Sequence, residues 1–524
     1  MAYLLAMPRW FNTAGPCEPA DHYMLPALRR LPEVQHLIDQ RSYFVVHAPR
    51  QVGKTTALLS LARELTHEGR HVAVLVSMEV GAGFPQDIGA AEAAVLQSWR
   101  AAARAQLPSE ALPPAFPEVP PGSRISAALE AWAVAVAPRP LVVFLDEIDA
   151  LRGDVLVSVL RQLRDGYRNR PGHFPSSLAL VGLRDVRDYK VDATAHDRLG
   201  TSSPFNIKVE SLTLRNFTRD EVADLYQQHT EDTGQTFLQE AVDRAYYWSQ
   251  GQPWLVNALA RQMVERLVPE RGQPLTVAHV DAAKELLLRR QDTHLDSLAE
   301  RLREPRVRRI IEPMLAGLTL GDVAEDDLRF VQDLGLVRMA ATGGLEIANP
   351  LYREVIPRVL ANTAVASLPP LTSAPWLRAD GRLDMERLME AFLAFWRQHG
   401  QPLLGTAPYH EVAPHLVLMA FLHRVANGGG TLEREYAIGT GRMDLCLRHG
   451  PDTLAFELKV WRDGEKDPLA EGLAQLDGYL SGLGLDTGWL VIFDRRGGQP
   501  PIAERTHASR AVTPAGRQVS VVRA

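Results

Sequence analysis

Residues 43–56 read YFVVHAPRQVGKTT. The first five are apolar and β-branched or aromatic apart from His47, a short run suited to a buried strand. From Lys54 to about Glu68 the apolar residues recur with helical spacing. Between strand and helix lies APRQVGKT, which fits the phosphate-loop pattern G-x-x-x-x-G-K-[ST] with Ala48 in place of the first glycine. The residue types follow from the chemistry. Gly53 lets the backbone approach a phosphate, and the N–H groups that open the helix form an anion nest. Lys54 neutralises the β- and γ-phosphates, and the Thr55 hydroxyl is a magnesium ligand. Ala48, Pro49, Arg50, Gln51, Val52, Gly53, Lys54, Thr55 and Thr56 are therefore the expected nucleotide contacts.

Further strands flank this unit at residues 71–77 (HVAVLVS), 141–145 (LVVFL) and 178–182 (LALVG). Apolar strands separated by helices predict a parallel sheet covered on both faces. The third strand runs into Asp146 and Glu147 (LVVFLDEID). Asp146 is expected to hold magnesium through water, and Glu147 to polarise the attacking water. Arg184, after the fourth strand, could sense a γ-phosphate or pair with Asp185 or Asp188. Six prolines between Pro108 and Pro121 predict a surface loop over 107–122. From 212 to 290 the pattern is helical, with Thr218 as an N-cap, and LVRMA and LEIAN further on read as two short strands joined around Gly343-Gly344.

Residues 8–360 resemble the AAA-like and STAND-type P-loop ATPases of prokaryotes. GQPWLVNALA (251–260) is similar to the lid helix of the AAA type, without its usual basic sensor. The segment FNTAGPCEPADHYMLP precedes the first strand, and in such proteins it can pack near the adenine, which makes Tyr23, Pro26 and Arg29 candidates. The resemblance implies ATP and Mg2+ as ligands.

A second constellation lies in residues 439–460, GTGRMDLCLRHGPDTLAFELKV. Asp444 sits in one strand, and Glu457 and Lys459 share a face of the next. Hairpin pairing can bring Asp444 beside Glu457. Paired carboxylates bind a divalent metal that polarises a phosphodiester, while a lysine positions water or stabilises developing charge. These residues resemble the D…E-x-K core of the PD-(D/E)XK nuclease superfamily over about 405–495, with Met443 where the family often has proline. Gln475 and Tyr479 resemble its Q-x-x-x-Y helix, and Glu411 lies where members often place a further acidic residue. Tyr479 is expected in the core, and His415 and His423 as packing residues.

The expected fold is thus α/β multidomain: a P-loop ATPase core (1–211), a helical lid (212–290), a winged-helix-like domain (291–364), a linker (365–377) and a restriction-endonuclease-like PD-(D/E)XK domain (378–524). The 524-residue chain has a net charge of −6, which gives no global electrostatic case for nucleic acid. Arginines in RLREPRVRR (301–309) could touch phosphates, or form a solvated face paired with Glu300, Glu304 and Glu312. Two cysteines exclude a disulfide framework, and neither a signal peptide nor a membrane span is recognisable, so a cytoplasmic protein without membrane contact is expected. The partner expected is nucleic acid, DNA first, with homo-oligomerisation left open. Two functions stand side by side. One is an ATPase whose nucleotide state controls Mg2+-dependent nucleic-acid cleavage, resembling prokaryotic genome-defence proteins. The other is a STAND-type switch or DNA-binding regulator whose nuclease-like domain is an inactive docking module.

Overall fold

The computed structural model describes residues 9–183, 207, 209–290, 298, 300–315, 320, 323–340, 343–356, 376–406, 413–426, 430–438 and 441–524. The chain forms two compact units, Met1–His294 with Ala324–Pro350, and Leu295–Val323 with Leu351–Ala524.

The first unit is built on five strands: β1 (Tyr43–His47), β2 (Val72–Ser77), β3 (Leu141–Asp146), β4 (Ser177–Gly182) and β5 (Glu210–Thr213). All pairings are parallel, in the order β2-β3-β4-β1-β5. Successive residues supply opposite cores. Tyr43, Val45, Val143 and Leu145 join Trp99 and Trp132 on one face, and Phe44, Val46, Val142 and Phe144 join Leu58 and Leu61 on the other. Two covered faces explain why these strands are continuous apolar runs. β5 escaped the sequence reading because ESLT is a mostly polar edge strand with one fully buried residue, Leu212.

The proline-rich stretch 107–122 is not only a surface excursion. Ala111 is buried and its carbonyl accepts from Trp132 Nε1, while the buried Glu92 carboxylate accepts from the Gly122 amide and from Gln162 Nε2. The helical region contains Arg219–Thr233, Gln239–Ser249, Pro253–Gln262 and Val277–Arg290. Thr218 caps the first of these, and Glu221 returns a bond to the Thr218 amide, completing a capping box. The same unit holds the antiparallel pair β6 (Val337–Met339) and β7 (Leu345–Ile347), turning at Gly343 and Gly344. Residues 291–364 thus contribute to both units.

The second unit contains a six-stranded mixed sheet, β12-β13-β11-β10-β9-β8. β8 (Gly430–Ile438), β9 (Gly441–His449) and β10 (Asp452–Trp461) form an antiparallel meander. The helix Leu469–Leu483 then crosses over, and β11 (Trp489–Asp494) returns parallel to β10. β13 (Gln518–Arg523) extends the sheet parallel to β11, and β12 (His507–Val512) closes its edge. Cys446, Ala455, Leu476, Leu480 and Ile492 form the core under the crossover helix, with Tyr479 packed against it. The buried Asp452 carboxylate accepts from Arg382 and from the Leu383 amide, tying the start of β10 to the segment that leads into the helix Met385–Thr406. No helix among the described residues is long and apolar enough to cross a membrane.

Gly251 occupies the left-handed region at φ 72°, and a Cβ there would lie 1.8 Å from the Phe217 carbonyl oxygen. Gly251→Ala adds unfavourable backbone conformation and a collision with main chain, and is expected to destabilise the first unit by more than about 2 kcal/mol. Thermal unfolding of the variant at the parent temperature would refute this.

Candidate functional site

The phosphate loop leaves β1 at the carboxyl edge of the sheet. Ala48 is buried in the core, its amide donates to the Gly182 carbonyl at 3.3 Å, and its φ is not positive. Alanine can therefore stand where the motif has glycine. Positive φ falls instead on Gln51 (58°) and Gly53 (84°), and Gly53 caps the helix Lys54–His67. Val52 is buried, so its contribution to the loop is its backbone, while Arg50 is exposed. Lys54 Nζ donates to the carbonyls of Ala48 at 2.7 Å and Pro49 at 2.8 Å, and burial pushes its ammonium down to about 8. The Gln51 carbonyl accepts from Gln252 Nε2 at 3.4 Å, linking the loop to the helix Pro253–Gln262. Thr56 points elsewhere: its hydroxyl accepts from the Cys17 amide at 3.1 Å.

Thr55 and Asp146, 91 residues apart in sequence, meet directly. The Thr55 hydroxyl donates to Asp146 Oδ2 at 2.7 Å, and Oδ1 accepts from the Glu147 amide at 3.0 Å. Burial raises the Asp146 carboxyl above its ordinary value. Glu147 sits in a left-handed turn at φ 55°, a conformation uncommon outside glycine and associated with functional turns. Burial, reinforced by hydrogen bonding to Glu79, pushes its carboxyl up to about 7. Glu79 follows β2 and belongs to no sequence motif. A hydroxyl and a carboxylate side by side are hard oxygen donors, a set suited to magnesium. Arg184 lies outside the described residues. Tyr23 is core: it is buried against Phe11 and its hydroxyl meets His229 Nδ1 at 3.2 Å. Arg29 is exposed and pairs with Asp224 at 2.5 Å.

In the second unit the pairing of β9 with β10 runs from His449–Asp452 to Leu445–Phe456 and stops before Asp444. Beyond that point the Leu458 amide, without a backbone partner on β9, donates to Asp444 Oδ2 at 2.7 Å. This sets the Asp444 carboxylate between Glu457 and Lys459 on the sequence of β10. Glu457 is buried, and burial together with the Asp444 charge pushes its carboxyl up to about 8. Its Oε1 lies 3.3 Å from Lys459 Nζ, and its buried Oε2 has no hydrogen-bond partner. Lys459 also donates to Glu471 Oε1 at 3.0 Å and to Gln475 Oε1. Burial opposes the lysine's charge, but Glu471 and Glu457 outweigh it and hold the ammonium above its ordinary value. Glu471, like Glu79, belongs to none of the sequence motifs. Its signal was its position four before Gln475 on one helix face. An orphaned, buried carboxylate oxygen beside a second carboxylate fits a divalent cation. Among the described residues no group of three or more His, Cys, Asp or Glu side chains is gathered for a metal, and Glu411 lies outside them. The His415 ring lies tilted beside that of Phe493, with centroids 5.8 Å apart, and Arg301 and Arg306 pair with Glu304.

Solved structures similar to this chain include a Walker-type ATPase and two other proteins. A Walker-type ATPase of Pyrococcus abyssi is 13% identical with a TM-score of 0.47, the match covering 66% of this chain and 99% of that one. The RuvB Holliday junction branch migration motor of Thermotoga maritima is 14% identical with a TM-score of 0.35, covering 63% and 93%. The ORC2 protein of Aeropyrum pernix is 14% identical with a TM-score of 0.39, covering 65% and 93%. No protein-family model matches the chain, and no curated protein matches it significantly.

Lys54→Ala removes the buried cation of the loop, and ATP affinity is expected to fall by at least roughly 100-fold, the scale of a charge-assisted contact. Calorimetry that finds the parent affinity would remove Lys54 from the nucleotide site.

Proposed function

We propose that this chain binds and hydrolyses ATP at the phosphate loop and cleaves nucleic acid, DNA in the first instance, at the Asp444–Glu457–Lys459 site, with the nucleotide state governing cleavage. The observation that carries the nuclease half is the meeting of four side chains of the required chemistry from β9, β10 and the crossover helix. Asp444 and Glu457 supply hard oxygens, Lys459 a cation, and Gln475 a neutral acceptor that orients it. A docking module has no need of a carboxylate pair buried with an unpartnered oxygen.

For ATP, the loop amides and Lys54 neutralise the phosphates, Thr55 and Asp146 would hold magnesium, and Glu147 accepts the proton of the attacking water. Its raised carboxyl lies near neutrality, where a general base works best. In the second unit Asp444 and Glu457 would hold the divalent ion, which when bound polarises the phosphodiester and lowers the pKa of water. Lys459 is positioned by Gln475 and Glu471 to meet charge that develops on the phosphate. A cytoplasmic site of action and a role in prokaryotic genome defence accompany this reading as proposals, as does a winged-helix role for residues 291–364.

Glu147→Gln is expected to keep ATP and lose turnover by roughly 100-fold or more, because an amide cannot accept the proton. A variant that hydrolyses at the parent rate leaves Glu147 without that role. The nuclease half is tested with purified chain, Mg2+ or Mn2+, single- and double-stranded DNA and RNA, with and without ATP. Asp444→Ala is expected to lose cleavage together with metal binding, and Lys459→Ala to lose cleavage while metal still binds. ATP hydrolysis is expected to persist in both variants. Cleavage that survives replacement of both Asp444 and Glu457, or a parent that cuts none of the four substrates with either metal, sinks the nuclease.

A further inference from the structure

Two adjacent arginines near the start of the first unit have different surroundings. Arg29 is exposed and paired with Asp224. Arg30 is 7% exposed. Its Nε donates to the Arg215 carbonyl at 2.8 Å, its Nη2 donates to the same oxygen, and its Cζ lies 4.8 Å from the centre of the Phe217 ring. One carbonyl and one ring therefore fix the plane and position of the guanidinium. Its third edge, Nη1, has no hydrogen-bond partner and faces the phosphate loop: a Cβ placed on Gly53 would meet it at 3.6 Å.

The charge on Arg30 is also uncompensated. Glu221 stands near enough to favour it, but the Glu221 carboxylate is taken by Arg215, at 2.6 and 2.8 Å, and by the Thr218 amide. Among the described residues no carboxylate lies within ion-pair distance of Arg30. Burial pushes its guanidinium down to about 9. A cation held out of water without a counter-ion is unfavourable, and a buried arginine is normally answered by a carboxylate or a phosphate. Here the free edge is aimed at the helix N-terminus where a phosphate would sit.

We propose that Arg30 is a nucleotide-binding residue, its Nη1 edge contacting the α- or β-phosphate of the nucleotide in the loop. This rests on the ATP reading above. The choice of phosphate follows from position: the loop amides at Gly53 cradle the α- and β-phosphates, while Lys54 reaches the β- and γ-phosphates. ADP and ATP share the contact, so both affinities depend on it equally.

The test is calorimetry of the full chain with Mg-ATP and with Mg-ADP, with thermal unfolding measured without nucleotide. Arg30→Gln removes the charge but leaves an amide able to donate to the Arg215 carbonyl, so a purely structural role is rescued and a phosphate contact is not. Affinity for both nucleotides is expected to fall by a similar factor, roughly 10- to 100-fold, with unfolding near the parent temperature. Arg30→Lys is expected to recover part of the loss, and it carries the same comparison if the glutamine variant does not fold. Parent affinity in Arg30→Gln, or a loss confined to ATP, overturns the assignment. If Lys54→Ala loses nucleotide while Arg30→Gln keeps it, the inference fails alone. If the parent binds neither nucleotide, the ATP reading fails and takes the inference with it.

Discussion

A charge taken out of water must be answered by an opposite charge or by a fixed set of hydrogen bonds, and both candidate sites of this chain are organised by that requirement. Lys54 is answered inside its own loop by the carbonyls of Ala48 and Pro49. Those are dipoles, not a counter-ion, so the loop can exchange them for phosphate oxygens. Asp146 is answered by the Thr55 hydroxyl and the Glu147 amide, and Asp444 by the Leu458 amide. The two groups that hydrogen-bond to Asp146 are neutral, so neither cancels its charge.

The sheets make this arrangement possible. In a parallel sheet every strand ends at the same edge, and ligands collect in the crevice outside the carboxyl ends. β1 delivers the phosphate loop there and β3 delivers Asp146 and Glu147, although β4 lies between them in the sheet. The second sheet uses another device. β9 and β10 pair as far as Leu445–Phe456 and then part, while β10 continues along β11 to Trp461–Asp494. The parting frees the Leu458 amide, and Asp444 is drawn to it. The unpaired end of a ladder thus becomes the place where side chains from two strands and a helix converge.

This division explains what the sequence made legible. The phosphate loop is local chemistry: strand, turn, lysine and the start of the helix all fall within the 14 residues 43–56, so no tertiary knowledge is needed to read them. Asp444, Glu457 and Lys459 were readable because strand alternation puts the last two on one face and a short turn brings the first beside them. Glu79 and Arg30 were not readable, because each acquires its meaning from a partner remote in sequence, while Glu471 carried only the local signal of its spacing to Gln475. Arg29 and Arg30 are chemically identical neighbours, and only the fold gives one to Asp224 and the other to Phe217 and the Arg215 carbonyl. Tyr23 shows the reverse error. Its segment suggested an adenine contact, but a ring enclosed by Phe11 and hydrogen-bonded to His229 belongs to the core.

The two sites have opposite electrostatic character. The phosphate loop offers a buried lysine, a helix N-terminus and the free edge of Arg30, so a polyphosphate can enter it directly. The second site gathers Asp444, Glu457 and Glu471 near the Lys459 ammonium, which Glu457, Glu471 and Gln475 engage. On the proposed nuclease reading, a phosphodiester approaching that cluster would meet carboxyl groups from two strands and a helix. Burial and the neighbouring Asp444 make Glu457 more stable carrying a proton than a second adjacent charge. A divalent cation can replace that proton, occupy the unpartnered Oε2 and reverse the sign of the field that the phosphate sees. On the proposed nuclease reading, metal dependence would follow from the pairing of the buried Glu457 carboxyl with Asp444, independent of any detail of the chemistry that follows.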